Sequence, residues 1–304
     1  MAHHAGRLRV PPAVAVTAVV VVGDATLDVS VSPARPMATG ADVPAAITMR
    51  PGGQGANVAV RLARQGVGVT LVCALGQDPA AEMIRQALGA DGVSLAALPV
   101  EATGVIVVIG GADGERSMLS HRVALPAAAA DAAARLAAGW LVISGYALLQ
   151  PDAMDLSARL AALPMRRALL GCAVADDSLT AWASAVRRLE PDLVIANREE
   201  ADRARLQGIG EMLAITDANG AEVQIGDARA AAATTPGPAA VDTTGAGDAF
   251  AAGLLAGLLD AAWPPDEARL QTALEAGVAL ASAVARIRGA QARVPGERAA
   301  TLPA

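Results

Sequence analysis

Short apolar runs rich in β-branched residues recur along this chain, and between them apolar residues return at the three-to-four residue spacing of a helix. The runs at 14–22, 69–74, 105–109, 141–144, 168–172, 193–196 and 212–216 predict strands. The stretches 57–65, 80–88, 126–138, 152–163 and 180–189 predict helices. Pro126 and Pro151 stand where a helix would begin, and Gly66 and Gly89 where one would end. Such alternation predicts an α/β fold, a mainly parallel sheet covered by helices on both faces. Two stretches interrupt it. Residues 29–50 and about 92–122 carry short β-like pieces (47–49, 105–109, 116–120) with no helix between them. They are expected either as surface loops or as strands of a small lid over a ligand. Residues 247–259 and 265–288 read as two closing helices around the Trp263-Pro264-Pro265 break. The expectation is one domain over 13–298 after a tail at 1–12.

Composition narrows the function. Hydrophobic residues make up 54% of 304 and charged ones only 18%, and alanine, which suits close helix packing, supplies much of the excess. The longest apolar run, 13–22, is far short of the ~18 residues of a membrane span. Arg7 and Arg9 before it give it the look of a signal-peptide core, but its valine content and its stop at Gly23-Asp24 favour a buried strand. A net charge of −6 without a basic cluster argues against a nucleic-acid partner. Cys73 and Cys172 lie in apolar runs, as buried thiols of a cytoplasmic protein do. His3 and His4 stand at the extreme N-terminus, leaving only His121, so neither a histidine-rich metal site nor a Ser-His-Asp triad is expected. All 24 basic residues are arginine. A P-loop, Schiff-base chemistry and the strand lysine of protein kinases are thereby excluded.

Four segments carry candidate chemistry. In Asp242-Thr243-Thr244-Gly245-Ala246-Gly247-Asp248 the small residues Gly245, Ala246 and Gly247 allow a tight turn into an apolar helix. Its N–H groups would form an anion site, with Asp248 in the first turn placed to take a proton from a hydroxyl attacking a phosphate. The alternative is a capping aspartate with packing glycines. Gly52-Gly53-Gln54-Gly55-Ala56-Asn57 precedes another helix; Gly52 and Gly53 would let a ligand lie on the backbone and Asn57 offers a donor and an acceptor, though a plain turn reads the same way. It lacks the Gly-x-Gly-x-x-Gly spacing of a dinucleotide site, which argues against a nicotinamide-dependent dehydrogenase. Asp28, just past the first strand, could accept from two sugar hydroxyls or simply cap a turn. Asn197 and Glu200, three apart where a strand meets a helix, could converge on magnesium or form a capping box.

Together these segments resemble the ribokinase-like (PfkB) carbohydrate and nucleoside kinases from about Val16 to Pro295. The first family signature is matched by Gly52–Ala59 with Gly66 and Gly76 beyond it, and the second by Asp242–Asp248 followed by Ala252-Gly253-Leu254-Leu255. The resemblance implies a three-layer α/β/α fold with a β-sheet lid that often forms a homodimer contact. It implies an ATP-dependent kinase acting on a hydroxyl of a small sugar, or alternatively a nucleoside, with Asp248 as base and the amides of 245–247 as anion hole. Asp28, Gly52, Gly53 and Asn57 would be the substrate contacts. Asn197, Glu200, Thr216 and Gly247 would lie at the nucleotide, Glu200 meeting Mg2+ through water. Asp242 and Thr244 would face a monovalent cation such as K+, where Arg293 replaces a frequent serine and, if turned inward, would substitute for the ion. The turn after Thr216 reads Asp217-Ala218-Asn219-Gly220, shorter than the family's pattern, so Thr216 is the loosest match. A non-catalytic ligand-binding protein on this fold is the reading from another class; it predicts loss of the base or the anion hole, and both are present.

Overall fold

The computed structural model describes residues 17–110, 116–226 and 228–298; the tail expected at 1–12 and the start of the first predicted strand lie outside them. The strands are β1 (Val19–Val22), β2 (Thr26–Pro33), β3 (Ala45–Gly52), β4 (Val69–Leu75), β5 (Ser94–Pro99), β6 (Gly104–Gly110), β7 (Arg116–His121), β8 (Trp140–Ser144), β9 (Arg166–Leu170), β10 (Leu193–Asn197), β11 (Met212–Asp217), β12 (Gly220–Ile225) and β13 (Ala228–Ala233). The helices are α1 (Gln54–Arg64), α2 (Pro79–Ala90), α3 (Ala129–Ala134), α4 (Ala153–Ala161), α5 (Asp176–Leu189), α6 (Arg198–Arg203), α7 (Ala246–Leu258) and α8 (Glu267–Val284).

Among the described residues nine strands form one sheet in the order β13-β12-β11-β10-β9-β8-β1-β4-β5. The pairs from β11 to β5 are parallel, and β12 and β13 close one edge as an antiparallel ribbon. The valine run of β1 explains its central place. Val19 and Val21 face one apolar layer and Val20 and Val22 the other, all fully buried. The first layer is covered by α1, α2, α7 and α8, the second by α3 to α6. This is the three-layer ribokinase-like arrangement.

A second sheet of four strands, β3-β2-β6-β7, grows from the end of β1, since only residues 23–25 separate β1 from β2. It uses the first interrupted stretch, but only part of the second. Ser94–Pro99 pairs in parallel with β4 at the edge of the large sheet, so the lid takes 104–121 of the stretch expected at 92–122. The alternation Leu95, Ala97 against Ala96, Leu98 faces both apolar layers, as a main-sheet strand must. The hairpin β12–β13 lies outside the predicted strands, although β12 alternates Ala221, Val223 and Ile225 against Glu222 and Gln224; only β13, nearly all alanine, lacks a strand signal.

Helices α7 and α8 approach so closely that their glycines meet. A Cβ on Gly253 would stand 2.8 Å from Cα of Gly277 and 2.9 Å from the Ala276 carbonyl oxygen, all backbone atoms that cannot swing aside. Gly89, also helical, has nothing within 4 Å of such a Cβ. Gly253→Ala is therefore expected to cost about 1–2 kcal/mol net, overpacking outweighing the gain in helix propensity. Gly89→Ala is expected to stabilise by about 0.5–1 kcal/mol. Urea denaturation of both variants checks this, and a Gly253→Ala protein as stable as the parent would refute the close packing.

Candidate active site

After β1 the chain continues to strands on one side of the large sheet, and after β8 to strands on the other, so a crevice opens at the carboxyl ends of these two neighbours. Asp24 bridges it. Its Oδ1 accepts from the Gly55 N–H (3.2 Å) and the Ser144 hydroxyl (2.9 Å), and its Oδ2 from the Arg122 guanidinium (2.7 Å). Arg122, one residue past β7, also lies 3.6 Å over the Tyr146 ring. Gln54, the first residue of α1, accepts from the Gly145 N–H (3.0 Å) and donates to the Gly171 carbonyl (2.7 Å). The start of α1 is thereby fixed to the ends of β1, β8 and β9.

Asp28 projects from β2 into this crevice, accepting from the Thr26 hydroxyl at 2.8 Å. Burial pushes its carboxyl above the usual range, opposed by that hydrogen bond. Gly52, paired with Thr26 across β2–β3, has to lack a side chain, because a Cβ there would occupy the place of the Asp28 carboxylate. Gly53 is the N-cap of α1.

On the opposite wall Gly245 turns the chain with φ 77° into α7; a side chain here would also collide with Ala290, 2.6 Å from its Cβ. The Ala246 N–H donates to the Thr243 carbonyl at 3.1 Å and closes the turn, so the helix presents Gly247 and Asp248 at its head rather than the full 245–247 set. The Asp248 carboxylate accepts from Asn57 Nδ2 at 2.8 Å. Its proton affinity is pushed up to about 7, first by removal from water and then by the charges of Asp24 and Glu200, against the Asn57 hydrogen bond and Arg61. Asn57, expected as a substrate contact, thus engages Asp248 directly. Asp242 accepts from the N–H groups of Thr244 and Gly289, both at 3.0 Å, and so joins the turn to the C-terminal loop.

Beside this turn lies a cavity of about 580 Å³ whose lining includes Asn197, Thr216, Ala218, Pro236, Gly247 and Val278. Thr216, the loosest match in the sequence, is therefore at the cavity with Asn197 and Gly247. Asn197 and Glu200 form the capping box: Asn197 Oδ1 accepts from the Glu200 N–H (2.8 Å) and Glu200 Oε2 from the Asn197 N–H (3.0 Å). Burial raises the Glu200 carboxyl, opposed by that backbone donor.

Arg293 corrects an expectation. Its guanidinium is held by Asp91 (2.7 Å) and the Arg298 carbonyl (2.8 Å), so its charge does not turn inward to stand in for a cation. The inward arginine is Arg61. Fully buried, it pairs with Glu297 at 2.7 Å and donates to the carbonyls of Ala290 (2.6 Å) and Ala292 (2.9 Å). Arg64 holds the Gln291 carbonyl at 2.8 Å and Asp91. Asp24, Gln54, Arg61, Arg122 and Gln291 were not singled out from the sequence. Arg61 had a readable signal, a charge among Val58, Leu62 and Gly55 on the helix face that should be apolar.

Among the described residues no helix is long and apolar enough to cross a membrane. No curated protein sequence matches the chain. Solved structures do match in fold. An uncharacterized sugar kinase from Pyrococcus horikoshii in complex with ATP superposes with a TM-score of 0.74 at 23% identity, over 90% of this chain and 94% of that one. Adenosine kinase from Sinorhizobium meliloti gives 0.73 at 21%, over 92% and 97%. Ribokinase from Thermotoga maritima gives 0.71 at 17%, over 92% and 96%. The sequence model of the pfkB family carbohydrate kinases matches residues 16–296, and the chain belongs to that family.

Proposed function

We propose that the protein transfers the γ-phosphoryl group of ATP to a hydroxyl of a small sugar. The observation that carries this reading is the Asp248 carboxylate at the head of α7, held by Asn57 between the crevice of Asp28 and the cavity of Gly247. A sugar gripped by Asp28 and lying on Gly52 and Gly53, with the second Asn57 N–H beside it, would present a hydroxyl to Asp248. Asp248 takes that proton as the hydroxyl oxygen attacks phosphorus, and the N–H groups of Gly247 and Asp248 stabilise the charge on the transferring group. The cavity suits ATP, with apolar Ala218, Pro236 and Val278 for a base and the helix head for phosphate. Magnesium fits as the partner of the phosphates: among the described residues no three acidic, histidine or cysteine side chains converge, and this ion favours one or two carboxylates with water and phosphate. Glu200 would hold it through water, where it would offset phosphate charge. Asp242 and Thr244 are proposed to face a monovalent cation, held with one ligand fewer because Arg293, turned away, supplies no hydroxyl where a serine would.

A nucleoside is the second acceptor class, since the likeness to the S. meliloti adenosine kinase is as close as that to the sugar kinases. ADP release from MgATP with D-ribose, D-fructose, other ketoses and adenosine decides between them, and no turnover with any acceptor leaves the non-catalytic alternative standing.

The lid offers a surface for a second copy. Its register aligns Met49, Val29, Val107 and Leu119 in one rung across all four strands, on the face opposite Asp28. Met49 and Leu119 are 55% and 61% exposed, and Ile47 on the same face 60%. We expect a homodimer through this face. Light scattering should show Met49→Glu shifting the protein towards monomer, and a parent that is monomeric at tens of micromolar would end the idea.

Asp248→Asn should lower turnover about 10²–10⁴-fold while sugar and ATP still bind. The parent's rate should fall below about pH 7 as the base takes up its proton. The stability effect has a definite sign. With the folded carboxyl raised from 3.8 to about 7, the native state holds the proton longer than the unfolded chain, so stability falls as pH rises through that window. The melting temperature of Asp248→Asn relative to the parent should therefore climb between about pH 4 and 7 and level off above. Near-parental turnover in this variant would remove Asp248 from the mechanism.

Asp28→Ala should raise the KM for the sugar strongly and leave that for ATP nearly unchanged. Collapse of ATP affinity with the sugar's intact would put the substrate at the other end of the cleft.

A further inference from the structure

Asn57 has two unlike ends, and only one can serve Asp248. An ionised carboxylate is purely an acceptor, so the amide N–H must face it; turned over, Asn57 would set its own oxygen against the charge. Nothing within α1 decides between these orientations. The deciding contact comes from the C-terminal loop, where Gln291 Nε2 donates to Asn57 Oδ1 at 3.0 Å. That loop is irregular, yet its position is tightly determined. The carbonyls of Ala290, Gln291 and Ala292 are all taken by guanidinium groups of α1, those of Arg61 and Arg64, and Arg61 is anchored in turn by Glu297. Helix α1 thus holds the loop from below, and the loop returns one side chain to the residue of α1 that touches Asp248.

We propose that Gln291 is a positioning residue for the base: it locks the Asn57 amide with its donor towards Asp248. The proposal rests on the reading of Asp248 as base. The charges that act on this carboxylate come from three elements: Asp24 after β1 and Glu200 in α6 disfavour its ionised form, and Arg61 in α1 favours it. Two like charges oppose one buried and already paired cation, so the single Asn57 donor carries much of the balance. Loosening it leaves Asp248 protonated to higher pH and less well aimed.

The test uses Gln291→Met, similar in length but without a donor, and Gln291→Glu, whose carboxylate accepts from the Asn57 N–H and turns the amide over. Turnover is measured from pH 5 to 9 with MgATP and whichever of D-ribose, D-fructose and adenosine is used fastest. Gln291→Met is expected to lower kcat about three- to tenfold, the worth of one hydrogen bond, with both KM values within about twofold and the acid limb moved to higher pH. Gln291→Glu is expected to lose more than Gln291→Met at equal melting temperature. In the Asp248→Asn background Gln291→Met should cost nothing further, because the amide then has no base to aim. The ligand-free protein gives a readout without substrate: the pH window over which stability falls should extend upwards in Gln291→Met. An unchanged acid limb and stability window, equal losses in the two variants, or a fully additive loss with Asp248→Asn overturns the role of Gln291. Near-parental turnover of Asp248→Asn alone overturns the base instead, so the two failures are told apart.

Discussion

The architecture of this site depends on a charge buried where a helix should be apolar. Arg61 has no accessible surface, and neither in effect has its partner Glu297, at 3%. Taking such a pair out of water costs several kcal/mol for each ion, which the geometry must offset with further hydrogen bonds. It does so here in part, through Nη2, which donates to the loop carbonyls at 290 and 292, while the buried Nε has no hydrogen-bond partner. The ion pair is therefore weak as a source of stability and strong as a determinant of place. Residues 289–298 have no regular hydrogen bonding of their own, and α1 defines where they run. Their position in turn sets Ala290 against Gly245, Gln291 against Asn57 and the Gly289 N–H on Asp242.

That dependence explains which parts of the molecule could be read from the chain. Elements with their own pattern were legible. The valine run of β1, the runs of β4, β8, β10 and β11, and the proline and glycine ends of the helices fall within a few residues of where periodicity put them. Gly245, Asp248, Asn57 and Asp28 could be picked out because glycine turns and carboxylates at strand ends have local signatures; the structure sets Asp248 on Asn57, at the start of α1, and Asp28 against Gly52, which leads into the same helix. Contacts between distant segments were not legible. The Arg61–Glu297 pair joins positions 236 apart and the Gln291–Asn57 bond positions 234 apart, and nothing near either residue names the other. The orientation of Arg293 was open for the same reason: its neighbours in sequence lie beside the turn, but Asp91, 202 positions away, holds its side chain. Of the edge hairpin, β13 has no contrast between faces because it is nearly all alanine, whereas β12 carries a readable alternation in Ala221-Glu222-Val223-Gln224-Ile225.

The absence of lysine fits the same economy. A lysine ammonium is a compact, strongly hydrated point charge, whereas a guanidinium offers several fixed donors and is less costly to bury. Arg61 uses its donors on two carbonyls and a carboxylate, Arg64 on a carbonyl and two carboxylates, and Arg122 meets Asp24 at its edge and Tyr146 with its face. None of these could be met by an ammonium with the same geometry. The consequence for chemistry is that the positive charges deep in the described site are already committed to protein partners. A phosphate at the head of α7, as proposed, would meet the N–H groups of Gly247 and Asp248, and the rest of its charge would fall to the cation the nucleotide carries.

The small sheet completes the constraint from the other side. Four short connections tie it to the rest of the fold: residues 23–25 between β1 and β2, Gly53 between β3 and α1, 100–103 between β5 and β6, and 122–128 between β7 and α3, where Arg122 pairs with Asp24. Two of them end on segments that act on Asp248, for the charge of Asp24 raises its proton affinity and α1 carries Asn57 and Arg61. Asp28 stands on β2 itself, so the lid's placement and the depth of the Asp28 carboxyl are one variable. A shift of this sheet changes the burial of Asp28 and the distance of the Asp24 charge together. If Asp28 grips the acceptor and Asp248 is the base, as proposed, the two roles would be coupled through covalent continuity and the Arg122–Asp24 ion pair.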